Sequence, residues 1–476
     1  MKCSEYDLAV IGGGAAGLFA VNVANRLGAK TCLIEKKKLG GDCTWYGCIP
    51  SKALLKAGHA AHAIRTAERF GVRAESCRVD CKKVMEHVRR VREEVYAEEI
   101  PEVFEDRGIR VLIGNPQFEN GHTLTVHGQR VSAKKIILCT GSHAAVPPVE
   151  GLQEAGYLTN EQVFELDQVP ESLIVLGGGP VGVEMAQAFT RLGAQVTLVE
   201  MAPRILGHEE EDLSEFIRRK LEEDGIRILT ATKAVRAVRR KEQAVVTIER
   251  GEGQREEIEA EHILAATGRV PNLEGLRLEK IGVKTSKKGV EVNDFLQTSQ
   301  EDIFAAGDVV GPYLFTHVAA YQAAVCVRNA LLKRVAWQKA DYGSVGWATF
   351  IEPEIAHIGL TETQARREYG EVKVYGEQYR SSDRAKTDME QEGMLKVITD
   401  QKGNLLGAHM AGADAGEVVQ GLLLAKTLRI PFPKLAEVLF VYPTLSQLIQ
   451  KTAAQSLSEK MENPLVKTLL GFLRQK

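Results

Sequence analysis

Short apolar runs bounded by glycine alternate along the first 270 or so residues with longer stretches of helical periodicity. Leu8 to Ile11 is one such strand-like run and Leu173 to Leu176 another. Each is followed by a glycine-rich turn, then a helix pattern, then a second strand ending in a glutamate. Further strand-like runs lie at Ile109–Ile113, Thr123–Val126 and Ile136–Leu138, and a charged helical stretch runs from about Cys81 to Glu105. The proline-containing segment Ala145–Leu152 reads as a crossing between two modules, and residues 262–272 close the second. From about Trp347 strands and helices continue without a glycine fingerprint, as in a separate α+β domain.

The two glycine-rich units are copies. Gly12, Gly14, Gly17, Gly28 and Glu35 recur at one constant offset as Gly177, Gly179, Gly182, Gly193 and Glu200. The tetrad Arg26-Leu27-Gly28-Ala29 returns as Arg191-Leu192-Gly193-Ala194. In G-x-G-x-x-G the first glycine makes a tight turn, the second lets backbone approach a pyrophosphate, and the third lets helix and strand pack closely. The acid about 20 residues on accepts from a ribose hydroxyl. Two such units imply two dinucleotides, for which a bound flavin and an exchangeable nicotinamide are the natural pair. Glu200 suits a free 2′-hydroxyl and repels a 2′-phosphate, so NADH is expected over NADPH, with Arg204 near enough to soften the preference.

Composition narrows the classes. A chain of 476 residues is too long for one ordinary core and suggests two to four domains. Lys plus Arg number 61 and Asp plus Glu 63, a net charge of -2 that gives no reason to expect nucleic acid. No apolar run reaches the ~18 residues of a membrane span, and the first residues lack a secretory pattern. Eight cysteines are too few for a disulfide framework, so a cytoplasmic location is expected and a close pair points to catalysis or metal binding. Cys43 and Cys48 form such a pair within Leu-Gly-Gly-Asp-Cys-Thr-Trp-Tyr-Gly-Cys-Ile-Pro-Ser-Lys. Four residues between them allow a small disulfide ring or a dithiol, and a helix start there lowers a thiol pKa below its free value of about 8.5.

These motifs, with the CTGS run at 139–142, AATGRVPN ending at Asn272 and TSQEDIFAAGDV at 298–309, resemble the class I pyridine nucleotide-disulfide oxidoreductases across nearly the whole chain. The resemblance implies a glutathione reductase-like α/β fold of two Rossmann-like dinucleotide-binding domains plus a C-terminal α+β dimerisation domain. It divides the chain into a first FAD-binding part (1–150), an NAD(H)-binding domain (151–272), a returning FAD-binding segment (273–345) and an interface domain (346–476). It implies a homodimer with shared active sites. Gly12, Gly14, Gly17, Glu35, Gly141 and Asp308 are then expected at FAD, and Gly177, Gly179, Gly182, Glu200 and Gly268 at the nicotinamide nucleotide. Cys48 becomes the flavin-side thiolate and Cys43 the interchange thiol, with Lys52 and Glu184 paired near the flavin. Pro180 stands where some relatives carry a gating aromatic.

One departure bears on the substrate. Disulfide reductases of this family carry His-Pro-Thr-x-Ser-Glu near the C-terminus, where the histidine of the partner subunit shuttles protons. This chain reads Tyr442-Pro443-Thr444-Leu445-Ser446-Gln447. A phenol of pKa about 10 is a poor shuttle at neutral pH. Tyrosine at this position resembles mercuric reductases, whose substrate is a thiolate-bound metal ion, although the terminal cysteine pair of those enzymes is absent. The expected activity is transfer from NADH through FAD and the dithiol to a thiophilic metal held transiently by Cys43 and Cys48. A dihydrolipoyl dehydrogenase-like disulfide reductase and a non-enzymatic metal-sequestering or oxidant-sensing flavoprotein are the alternatives. The tail from Pro464, with Leu465, Leu469, Phe472 and Leu473 beside Lys467, Arg474 and Lys476, fits a helix packed on the dimer better than peripheral membrane contact.

Overall fold

In the computed structural model, which describes residues 4–251, 253–462, 464 and 466–468, three large sheets of seven, four and five strands organise the described chain. The first centres on Ser4–Ile11, which pairs in parallel with Thr31–Glu35 on one side and Gln129–Leu138 on the other. Arg110–Ile113 extends it beyond Thr31–Glu35. The outer edge of Gln129–Leu138 is shared: its first residues pair antiparallel with Thr123–Val126 and its last three pair in parallel with Ile303–Ala305. Both faces of the central strand are buried, Leu8 and Val10 in one cluster and Ala9 and Ile11 in another. That is why these strands read as continuous apolar runs and not as alternations.

The second copy builds a parallel sheet in the order Arg227–Leu229, Gln195–Val199, Ser172–Leu176, His262–Ala265. Beside it lies an antiparallel meander of Thr232–Arg240, Gln243–Arg250 and Gln254–Ala260. Its alternating charges keep one face wet, as in Arg240 to Glu257 across the ribbon. The third sheet, wholly antiparallel, runs Gly346–Thr349, Glu354–Gly359, Leu405–Gly412, Met394–Thr399, Lys373–Gln378.

The charged stretch expected as one helix from Cys81 to Glu105 is two, Cys81–Tyr96 and Pro101–Glu105. Pro101 is the reason: proline disfavours helical backbone at Ile100, which is extended, and itself opens the second helix. Among the described residues no helix is long and apolar enough to cross a membrane. Leu465, Leu469, Phe472, Leu473, Arg474 and Lys476, on which the reading of the tail rested, lie outside the described residues.

Candidate active site

The C-terminal ends of the parallel strands in the first two sheets open on one cleft of about 2390 Å³, more than twice the volume usual for a single small-molecule site. It reaches from Gly12, Gly14 and Glu35, past Cys43, Cys48, Lys52 and Glu184, to Gly177, Gly179 and Glu200, and it takes in Gly141, Gly268 and Asp308. Gly17 and Gly182 do not line it. They sit in the helices behind the turns, where a methyl group would stand 1.8 Å from the Gly12 carbonyl oxygen and 1.9 Å from that of Gly177. Gly12 and Gly177 have φ of 107° and 112°, and a side chain on either would strike the Cys139 or Ala266 carbonyl. The turns are thus built twice to one plan, including their acids. Glu35 accepts from the Gly13 amide at 2.8 Å and the Lys37 amide at 2.8 Å. Glu200 accepts from the Gly178 amide at 2.5 Å and the Ala202 amide at 2.6 Å. Each carboxylate oxygen keeps a further lone pair, and the side-chain-free backbone of both turns fits the pyrophosphate of a dinucleotide such as the expected FAD.

Cys43 lies in the short helix Gly41–Tyr46, and Cys48 is the first residue of the helix Cys48–Thr66. Gly47 joins them, and any side chain there would press on the Asp42 carbonyl at 3.0 Å and the Cys43 Cα at 3.2 Å. Both cysteines are free thiols joined by a hydrogen bond. That bond and the Thr316 hydroxyl, 3.6 Å away, stabilise the Cys48 thiolate with help from the Lys52 charge, and its pKa falls to about 6. Donating to Cys48 and burial push the Cys43 thiol up. One thiolate and one thiol therefore coexist at neutral pH.

Lys52 stands one helical turn beyond Cys48 and shares its face. Its ammonium binds both oxygens of Glu184, at 3.0 and 2.8 Å, and sits 4.6 Å from the centre of the Phe350 ring. Glu184, only 5% exposed, comes from the helix Pro180–Leu192 and also accepts from the Phe350 amide. Gly58 lets the helices approach: a methyl group there would lie 3.3 Å from the Ala188 carbonyl oxygen. Pro180 opens that helix and lines the cleft.

Asp308 follows the strand Ile303–Ala305, so the return of the chain to the first sheet carries it beside Ser142. Ser142 donates to Asp308 at 2.6 Å and receives Arg269 at 2.7 Å, and Arg269 reaches Asp42 at 3.2 Å. Burial raises the Asp308 pKa against the hydrogen bond from Ser142. Sequence reading missed Ser142, Arg269, Asp42, Thr316 and Phe350 as partners. Three of them stand inside quoted motifs, Asp42 in the run that holds Cys43 and Cys48, Ser142 in CTGS and Arg269 in AATGRVPN, but nothing local to Thr316 or Phe350 marks them.

Two residues stand apart. Arg204 does not line the cleft; it binds the Gly207 carbonyl and approaches Glu211 instead of Glu200. Tyr442 is 66% exposed, away from the cysteines of its own chain, and donates to Asp383 at 3.3 Å. With Leu439 and Val441 it forms an uncovered apolar patch just ahead of the helix Gln447–Glu462.

Residues 6–324 match the family model "Pyridine nucleotide-disulphide oxidoreductase" and residues 345–453 its dimerisation domain. Mercuric reductase of Staphylococcus aureus is 34% identical over 94% of this chain and 82% of its own length. Dihydrolipoyl dehydrogenase of Rhizobium etli is 32% identical over 94% and 97%. Among solved structures, the Cu(II) complex of the HOCl-induced flavoprotein disulfide reductase RclA from Escherichia coli is similar, with a TM-score of 0.84 and 26% identity over 95% of this chain and 99% of that one.

Proposed function

The chain belongs to the pyridine nucleotide-disulphide oxidoreductases, FAD- and NAD(P)H-dependent enzymes, and from that premise we propose that it reduces thiophilic metal ions at Cys43 and Cys48 with NADH as donor. Family membership displaces the non-enzymatic alternative. FAD held at Gly12, Gly14, Glu35 and Asp308 would supply a hydride acceptor for the nicotinamide and a two-electron donor for the cysteine pair. The protein's own residues do the rest. Cys48 holds a thiolate at neutral pH, Cys43 holds the proton, and Lys52 supplies a fixed positive charge that favours anions in the cleft. As the metal binds, Cys43 releases its proton to solvent; oxidation of the two sulfurs to the disulfide then releases two electrons, which one Hg(II) or Au(III) ion accepts, or two Cu(II) ions accept one each.

The observation that carries the metal reading is Tyr442 in place of the histidine that disulfide exchange uses, with Gln447 in place of its orienting glutamate. The similarity to mercuric reductases and to a protein crystallised with Cu(II) supports it. NADH is favoured because Glu200, and not Arg204, faces the second turn. We assign the residue boundaries 1–150, 151–272, 273–345 and 346–476 to the FAD, NAD(H), returning FAD and interface regions, and a cytoplasmic homodimer as the working unit.

The test is anaerobic reduction with NADH or NADPH, followed by Hg(II), Cu(II) and Au(III) or by lipoamide and glutathione disulfide. Rapid reoxidation by the metals, slow reoxidation by the disulfides and at least tenfold better kcat/KM with NADH are expected, and Tyr442→Phe should slow metal turnover about five- to 150-fold. Brisk lipoamide turnover with no response to metals would make the chain a disulfide reductase.

A further inference from the structure

Away from the cysteine pair, Glu209, His357 and His409 form a buried cluster in which one ligand atom from each lies within 4.8 Å of the others. Glu209 comes from the loop after the strand Gln195–Val199, and the histidines from the paired strands Glu354–Gly359 and Leu405–Gly412. None of the three is more than 3% exposed.

The hydrogen bonds decide which nitrogens carry protons. His357 Nε2 faces the Gly359 carbonyl at 2.8 Å, and His409 Nε2 faces the Leu360 carbonyl at 2.9 Å. A carbonyl only accepts, so both rings donate from Nε2, and a neutral ring then has a lone pair at Nδ1. His357 Nδ1 lies 3.2 Å from Glu209 Oε2, acceptor against acceptor. His409 Nδ1 is buried and has no partner at all. Trp347 holds the arrangement by donating to Glu209 Oε1 at 2.7 Å and stacking on His357 with ring centres 3.7 Å apart. Glu210, 3.7 Å from His409 Nε2, is committed to Lys396. A proton on His357 would satisfy the contact with Glu209 but leave His409 Nδ1 unpaired. A cation satisfies all three groups.

From this we infer that Glu209, His357 and His409 bind a divalent cation of borderline softness, of the Zn(II) or Cu(II) class, in a site separate from the cysteine pair. Two imidazoles and one carboxylate are the donor set such ions take, and backbone carbonyls behind the rings are the outer partners that orient ligating histidines. Bond lengths near 2.0–2.2 Å put tetrahedral donor atoms about 3.3–3.6 Å apart; the His357–Glu209 pair at 3.2 Å already matches, and His409 would close on it from within 4.8 Å. Glu209 and Trp347 line the main cleft, which provides an entry path. The ion would tie the loop of the second glycine module to the C-terminal sheet.

The test uses the full-length, flavin-loaded Cys43→Ser/Cys48→Ser variant, so that the dithiol binds nothing. After chelation and dialysis against Zn(II), elemental analysis should find about one ion per chain with a raised Tm. Glu209→Gln and His409→Asn should each weaken binding at least tenfold. Cu(II) loading should give an electron paramagnetic resonance spectrum split by two imidazole nitrogens, and by one in His409→Asn. Folding is checked by circular dichroism and flavin content. Uptake that is absent, or insensitive to Glu209→Gln and His409→Asn in folded protein, overturns the inference and leaves a protonated His357–Glu209 pair as the whole content of the cluster.

Discussion

Cys48 owes its low pKa to three neighbours of unequal weight: the hydrogen bond from Cys43 first, then the Thr316 hydroxyl, then the charge of Lys52. Removing each should therefore raise it by a different amount. Rates of alkylation by iodoacetamide against pH should show a midpoint near 6 for Cys48, rising most in Cys43→Ala, less in Thr316→Val and least in Lys52→Met. In Cys43→Ala the thiolate fraction at pH 6.5 should fall about five- to tenfold, since below its pKa each unit costs a factor of ten. Equal midpoints in all four proteins would show that the helix start alone sets the thiolate. Gly47, whose missing side chain lets the short helix Gly41–Tyr46 meet the helix Cys48–Thr66, explains why the pair has a glycine immediately before the second cysteine.

Matching glycines and glutamates of the two strand–turn–helix copies make the same contacts, yet they serve different regions of the cleft, which makes their third glycines a matched experiment. Gly17→Ala should yield protein with little flavin, because the methyl group collides with the turn beside Glu35. Gly182→Ala should keep its flavin and lose NADH-dependent reduction at least tenfold, measured by absorbance and rapid mixing. Loss of flavin in both would mean that the modules do not fold separately. In the third sheet, Glu354 begins the strand Glu354–Gly359 with its carboxylate on the Gly416 amide at 2.8 Å. Burial pushes its pKa up to about 7 from an ordinary 4.5. The folded state then binds the proton more tightly than the unfolded chain, so its contribution is fully present below about 4.5 and is lost as pH rises through 7. Urea midpoints should fall across that window, and Glu354→Gln should flatten the fall.

At the scale of the whole molecule, Leu439, Val441 and Tyr442 lie exposed within a segment that matches a dimerisation domain. If Tyr442 works on the cysteine pair of a partner subunit, inactive chains should complement each other. Cys48→Ser and Tyr442→Ala subunits, unfolded together and refolded as a mixture, should form heterodimers with one intact site and regain metal reductase activity that neither homodimer has. Leu439→Glu should shift the sedimentation profile toward monomer and abolish turnover in an otherwise native protein. Additive, uncomplemented activities in a proven heterodimer would place Tyr442 outside the reaction.

The duplicated fingerprint, its glutamates and the cysteine ring were readable in the chain because each is a local device. A turn, a close approach of backbone or a six-residue ring is encoded by residue types at fixed short spacing. Lys52 was expected from the resemblance carried by its Cys-Ile-Pro-Ser-Lys run, and the structure places it one helical turn from Cys48 on the same face. The break of the helix before Pro101 is equally local, a single proline set among charges of helical spacing. Other features had no local signature. Thr316 reaches Cys48 from 268 residues away, and Phe350 reaches Glu184 from 166 away. The Glu209, His357 and His409 cluster joins two domains. Those contacts exist only because helix Cys48–Thr66 packs on helix Pro180–Leu192, and because the C-terminal sheet closes over the loop after Val199. Short-range steric rules wrote the nucleotide turns and the thiol pair into the sequence, and the packing of apolar faces between distant elements decided what surrounds them.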